Sequence, residues 1–129
     1  MHADKAPLKL MEVGMGCNPR TAMKKKGVDI WAKLLSQPED SIWVAEYNEM
    51  CLARMRKGDM IPRGVNVVVG DQSNETTLDR WIDETGGQYD IFIDDGGHSN
   101  MQIMTTFKKM WPQVKPGGEC CRYHYVHGE

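Results

Sequence analysis

The sequence predicts an α/β fold, a doubly wound parallel sheet of about five strands with helices on both faces. Three observations carry that prediction. Short apolar runs alternate five times with segments of helical period along the 129 residues. Most of the runs are rich in β-branched residues and close on Gly, Asp or Glu, as buried strands do when they deliver a loop to the end of a sheet. No internal repeat, linker or low-complexity stretch breaks the alternation, so residues 1–129 read as one domain with right-handed crossovers between its strands.

Taken in order, Leu8-Lys9-Leu10-Met11-Glu12-Val13 is a first strand that runs into the Gly14-Met15-Gly16 turn. Thr21 to Leu35 places Val28, Trp31, Leu34 and Leu35 at helical spacing, and Gln37-Pro38 ends that helix. Ser41 to Ala45 is a second strand with Glu46 just past it, and Tyr47 to Lys57 is a helix closed by Gly58. Val65-Asn66-Val67-Val68-Val69 is the plainest strand and is expected at the centre of the sheet. Asn74-Glu75-Thr76-Thr77 opens a helix that carries Leu78, Trp81 and Ile82 on one face and ends at Gly86-Gly87. Tyr89 to Ile93 is a fourth strand, again central, and it stops at Asp94-Asp95-Gly96-Gly97-His98. Ser99 is a helix N-cap for the segment up to Trp111, whose Met101, Ile103, Met104, Phe107 and Met110 make a wide apolar face expected to pack in the core. Lys115-Pro116-Gly117-Gly118 then reads as a turn feeding a fifth strand, Glu119 to Val126.

Composition narrows the function classes. A formal net charge of −2, with acids and bases interspersed, excludes the basic stripe of a nucleic-acid-binding surface. The short run Lys24-Lys25-Lys26 reads as a solvated helix face. No apolar run reaches the length of a membrane span and the first residues lack a signal-peptide core, so the expected address is the cytoplasm. The four cysteines, Cys17, Cys51, Cys120 and Cys121, have no framework spacing and read as reduced thiols. Cys120, Cys121, His124 and His127 make a poor zinc site, since on a strand Cys120 and His124 face one way while Cys121 and His127 face the other.

The chemistry-bearing residues collect at strand ends. In an open α/β sheet the crevice beyond those ends is where ligands bind, which puts Asp94, Asp95 and His98 where acid, base or metal-ligand groups are useful. Glu12 closes the first strand, and Gly14 and Gly16 let backbone approach a ligand closely. The dinucleotide fingerprint needs a third glycine where this chain has Pro19, so a nicotinamide-dependent oxidoreductase is the weaker reading and a cofactor without a diphosphate the better one. Glu46 offers two acceptor oxygens to a ribose diol, and Asp71 can accept from an adenine amino group.

Acidic groups after strands one to four, with a glycine turn after the first, resemble the class I S-adenosylmethionine-dependent methyltransferases, whose fold is Rossmann-like. More narrowly, Glu12-Val13-Gly14-Met15-Gly16-Cys17, Ala45-Glu46-Tyr47, Gly70-Asp71-Gln72, Ile93-Asp94-Asp95-Gly96-Gly97-His98 and Trp111 to Gly118 resemble the group of macrolide-sugar O-methyltransferases and cephalosporin-hydroxylase-like proteins, over residues 8–118. The resemblance implies that Gly14 to Gly16 cradle the methionine part of S-adenosylmethionine, that Glu46 holds the ribose, and that Asp71 and Gln72 lie near adenine. It places Glu12 and Asp94 on the cofactor side, Asp95 as a ligand of Mg2+ beside the reacting hydroxyl, and His98 as general base. The implied partner is a small-molecule or sugar substrate.

The resemblance also has gaps. In that group the fifth strand ends in an acidic pair that completes the metal site, whereas here it reads Glu119-Cys120-Cys121-Arg122-Tyr123-His124-Tyr125-Val126. The strands that finish the sheet and the N-terminal cover of the cofactor have no counterpart. The expectation is therefore an incomplete methyltransferase fold, with weak metal binding and self-association through the unfinished sheet edge. An inactive fragment or a partner-binding module is the alternative from outside enzymology.

Overall fold

The computed structural model describes residues 6–16 and 26–122. Within them, β1 (Lys9–Val13), α1 (Lys26–Leu34), β2 (Ser41–Glu46), α2 (Glu49–Lys57), β3 (Val65–Val69), α3 (Glu75–Thr85), β4 (Tyr89–Asp94), α4 (Asn100–Met110) and β5 (Val114–Arg122) follow in alternation, with a 3-10 turn at Trp111–Gln113. Every strand pairing is parallel and the order across the sheet is β3-β2-β1-β4-β5. The chain steps outward from β1 through β2 to β3 and then returns to the other side of β1 for β4. The carboxyl ends of β1, β2 and β4 are level, because Val13 pairs with both Ala45 and Asp94. A crevice opens at that switch point, where α/β sheets bind ligands.

The side-chain alternation of β1 builds two cores. Met11 and Val13 point to one face with Val68, Leu78, Trp81, Phe92 and Met110, beneath α3 and α4. Leu10 points to the other with Val28, Val44, Leu52, Met55 and Ile93, beneath α1 and α2. The helix ends follow local sequence chemistry. Asn74 Oδ1 accepts from Thr76 N and Thr77 N, and Gly86 ends α3 in the left-handed conformation at φ +83°. Ser99 and Gln102 form a reciprocal capping box at the start of α4.

The structure corrects four expectations. β3 is an edge strand rather than a central one, since β-branched residues record cover on the faces and say nothing of pairing at both edges. On α4 the inward residues are Thr105, Thr106 and Met110, while Met101, Met104 and Phe107 are 67%, 69% and 57% exposed. The helix is phased by Thr106, which reaches a buried amide in the β3–α3 loop, and that rotation turns the methionines outward. Lys115 to Gly118 do not precede β5 but form an excursion within it: Val114 pairs with Tyr89, and pairing resumes at Ile91 with Glu119. Asp90, left opposite the excursion, takes Lys115 Nζ at 3.3 Å. Finally, Cys51, on the buried face of α2, is disulfide-bonded rather than a reduced thiol. Spacing along the chain does not reveal which thiols a fold brings within bonding reach.

Residues 17–25 and 123–129 hold the predicted first turns of α1, Lys24, Lys25, Cys17, His124, His127 and the end of the fifth strand, and they lie outside the described residues. Among those described, no helix is long and apolar enough to cross a membrane.

Candidate functional site

The loops after β1, β2, β3 and β4 enclose a cavity of about 300 Å³, whose lining includes Gly14, Gly16, Glu46, Asp71, Gln72 and Asp95. Its first wall is the turn after β1. Gly14 has φ +96°, its N–H donates to Ala45 O at 2.8 Å, and a Cβ there would lie 2.3 Å from Asp95 O. Only glycine lets the β1 turn lie flush against the β4 loop. The same turn aims Met15 N–H at Glu46 Oε2, 3.2 Å away, while Asn48 N–H reaches Glu46 Oε1 at 3.4 Å. Glu46 is thereby held at the end of β2 by one backbone donor on each oxygen. Burial pushes its carboxyl above the usual range, and the two backbone donors oppose that shift. A carboxylate oxygen can accept more than one hydrogen bond, so Glu46 in the cavity wall keeps acceptor capacity for two neighbouring hydroxyls.

The second wall comes from β3 and β4. Asp71 Oδ1 accepts from Ser73 N at 2.8 Å and Ser73 Oγ at 2.7 Å, so a local turn orients this carboxylate in the cavity wall. Asp94 is buried, and its Oδ1 accepts from Gly96 N at 3.1 Å and Gln72 Nε2 at 3.3 Å. Asp95 is exposed at the rim, fixed through its own N–H to Val13 O at 2.9 Å. Desolvation raises its carboxyl; His98 opposes the shift and Asp94 adds to it. His98 is exposed just before the Ser99 cap and does not line the cavity.

Glu12 lies elsewhere than a cavity wall. It is buried beneath α1, its Oε2 accepts from Trp31 Nε1 at 3.1 Å, and Gly27 leaves room for it, since a Cβ there would sit 3.0 Å from its Oε1. Burial first, then the charge of Asp95, raises its carboxyl to about 7. The structure thus gathers Gly14, Gly16, Glu46, Asp71, Gln72 and Asp95 around one cavity, sets Glu12 and Asp94 behind it, and leaves His98 at its margin. Sequence reasoning named Trp31 and Tyr47 without giving them a place at the site, and it missed Gln102 and Thr106. Gln102 was legible as the fourth residue of a Ser-x-x-Gln capping box, whereas Trp31 and Thr106 carry no signal until the fold brings them to Glu12 and Gln72.

The donor set bears differently on the two groups that the resemblance implies. The glycine turn and the braced Glu46 fit an adenosyl cofactor. Magnesium wants octahedral oxygen coordination, and among the described residues no group of three or more His, Cys, Asp or Glu is placed to hold a metal. Asp95 alone does not make such a site.

No protein-family model matches the chain. The mycinamicin VI 2''-O-methyltransferase of Micromonospora griseorubida is 43% identical over 54 residues, which is 42% of this chain and 13% of that protein. The demethylmacrocin O-methyltransferase of Streptomyces fradiae is 41% identical over 54 residues, again 42% of this chain and 13% of that protein. The chain resembles the macrolide-sugar O-methyltransferases. The likeness extends to the fold: the solved MycE methyltransferase from the mycinamycin biosynthetic pathway, in complex with Mg, SAH and mycinamycin VI, superposes with a TM-score of 0.73 at 25% identity, over 90% of this chain and 29% of that chain. The five-stranded parallel Rossmann-like sheet matches the fold of that methyltransferase, and the matches cover 13% of the two curated relatives and 29% of the solved chain.

Proposed function

We propose that this chain is the S-adenosylmethionine-binding part of an O-methyltransferase acting on a hydroxyl of a small molecule or sugar. One observation carries the reading: Glu46, presented at the end of β2 by Met15 N–H and Asn48 N–H, is a carboxylate pre-set for a ribose diol beside a glycine turn. In this reading the Gly14 to Gly16 backbone receives the amino-acid end of the cofactor, Glu46 the ribose and Asp71 the adenine amino group. Bound S-adenosylmethionine would supply an electrophilic methyl group on sulfur. A sugar hydroxyl is a poor nucleophile, so a base must take its proton; His98, beside Asp95 at the rim, is the imidazole within the β4–α4 loop and is assigned that task. No step is assigned to magnesium.

The finer readings belong to the same proposal. The cephalosporin-hydroxylase-like side of the resemblance rests on Asp94 to His98. Self-association would use the outer edge of β5, which has no neighbouring strand among the described residues. The cytoplasm is the proposed address, and the Cys51 disulfide counts against it, because reducing compartments keep such bonds open.

Calorimetric titration of the folded chain with S-adenosylmethionine and S-adenosylhomocysteine tests the central claim. Saturable binding that weakens about tenfold or more in Glu46→Ala is expected, since a buried hydroxyl pair would lose its acceptors. A folded sample that binds neither compound overturns it.

A further inference from the structure

We infer that Gln72 is a positioning residue, a latch that fixes the Asp94 to His98 loop, and that it does not contact a base. Its side chain stands in the cavity wall, yet three of its four hydrogen-bonding positions are taken by protein groups. Gln72 is 7% exposed; its Nε2 donates to Thr106 Oγ1 at 2.9 Å and Asp94 Oδ1 at 3.3 Å, and its Oε1 accepts from Gly97 N at 2.7 Å. Thr106 Oγ1 in turn donates to Gln72 O at 3.3 Å. One amide therefore joins three pieces of chain: the β3–α3 loop, the loop carrying Asp95 and His98, and the buried side of α4. Both donors of the amide and one of the two lone pairs on its oxygen are engaged, which leaves a single acceptor position to offer a ligand in the cavity.

The latch also explains the glycine pair. A Cβ on Gly96 would lie 2.0 Å from Gln72 Oε1, and a Cβ on Gly97 would lie 2.0 Å from Gln102 Oε1. Each glycine is where a side-chain amide closes on the backbone, so the Gly-Gly step before His98 is shaped by Gln72 and Gln102 rather than by a ligand. Gln72 follows Asp71 directly, so the loop proposed to meet the adenosyl end is tied to the loop proposed to meet the hydroxyl. That catalytic consequence rests on the function proposed above; the latch itself does not.

The test uses the full chain without and then with S-adenosylhomocysteine. In Gln72→Leu, amide hydrogen exchange at Gly97 is expected to speed up by about tenfold or more, since a buried hydrogen bond is lost, while the affinity for S-adenosylhomocysteine changes by less than about threefold. The urea midpoint, measured on the same samples, separates local release from global unfolding. A double-mutant cycle supplies a signature that loose packing would not give. Gly96→Ala should accelerate exchange at Gly97 strongly in the wild-type background and only weakly in Gln72→Ala, where the colliding amide is gone. If turnover is measurable, kcat falls while the KM for the cofactor holds. Unchanged Gly97 exchange in Gln72→Leu, additive effects in the cycle, or a tenfold loss of affinity with Gly97 protection intact would each overturn the latch. A wild-type chain that binds no S-adenosylhomocysteine would sink the proposed function instead, and the exchange and cycle results would still decide the latch.

Discussion

Replacing Glu12 by Gln should stabilise this protein, and by an amount that depends on pH. The Glu12 carboxyl is buried beneath α1, where Trp31 Nε1 donates to it, and its pKa rises from 4.5 to about 7. In the unfolded chain it ionises at the ordinary value, so the native state binds an extra proton between those two limits. The penalty for ionising it inside the fold is absent below about pH 4.5, grows as pH rises, and is complete above about pH 7. At about 1.4 kcal/mol per pH decade, the full penalty is about 3 kcal/mol. Gln keeps an acceptor oxygen for Trp31 and carries no charge. Urea unfolding followed by tryptophan emission should therefore give near-equal stabilities at pH 4.5 and a variant about 2–3 kcal/mol more stable at pH 8. The slope contributed by Glu46 and Asp95, whose carboxyls are raised as well, persists in both proteins. A difference that stays constant across this range, or a variant less stable at pH 8, would refute the burial argument.

Three further outcomes follow from particular contacts. Gly14→Ala places a methyl group against Asp95 O at a positive φ, and should cost about 2–4 kcal/mol in a denaturant melt while abolishing S-adenosylhomocysteine binding; a fully stable, binding-competent variant would show that the β1 turn is not packed against the β4 loop. Met104→Lys should change stability by less than about 0.5 kcal/mol, because that side chain is 69% exposed; a loss above about 2 kcal/mol would return the methionine face of α4 to the core. Titration with Mg2+ in the absence of substrate should show no saturable binding below about 1 mM, since one rim carboxylate is a poor octahedral site; micromolar binding would demand ligands outside the described residues.

The order of strands and helices was legible because each element carries a local signal: apolar runs closing on Gly or Asp, Asn74 and Ser99 as caps, Gly58 and Gly86 as stops. The placing of Glu46 and Asp71 followed from the sheet class, since strand ends in such sheets converge. What could not be read depended on contacts between distant residues. The rotation of α4 is set by Thr106 against Gln72, and an apolar count along the helix favoured the opposite face. β3 carries a strong strand signal, but edge or centre is decided by the crossover to β4. Glu12 shares its neighbourhood in sequence with Gly14, yet the alternation of β1 turns it under α1, away from the cavity. The Cys51 disulfide left no signal in the spacing of the cysteines.

The excursion at Lys115 to Gly118 is a fastened break in the sheet. It sits opposite Asp90, near the amino-terminal end of β4, and the ladder re-engages at Glu119. Lys115 Nζ is 3.3 Å from the Asp90 carboxylate, and a Cβ on Gly118 would lie 2.9 Å from Asp90 O. The hem is thus sewn to β4 at both of its ends, so an insertion between Lys115 and Gly118 would pull on the register of Glu119 against Ile91 before it reached the far rim, where Asp94 ends its strand.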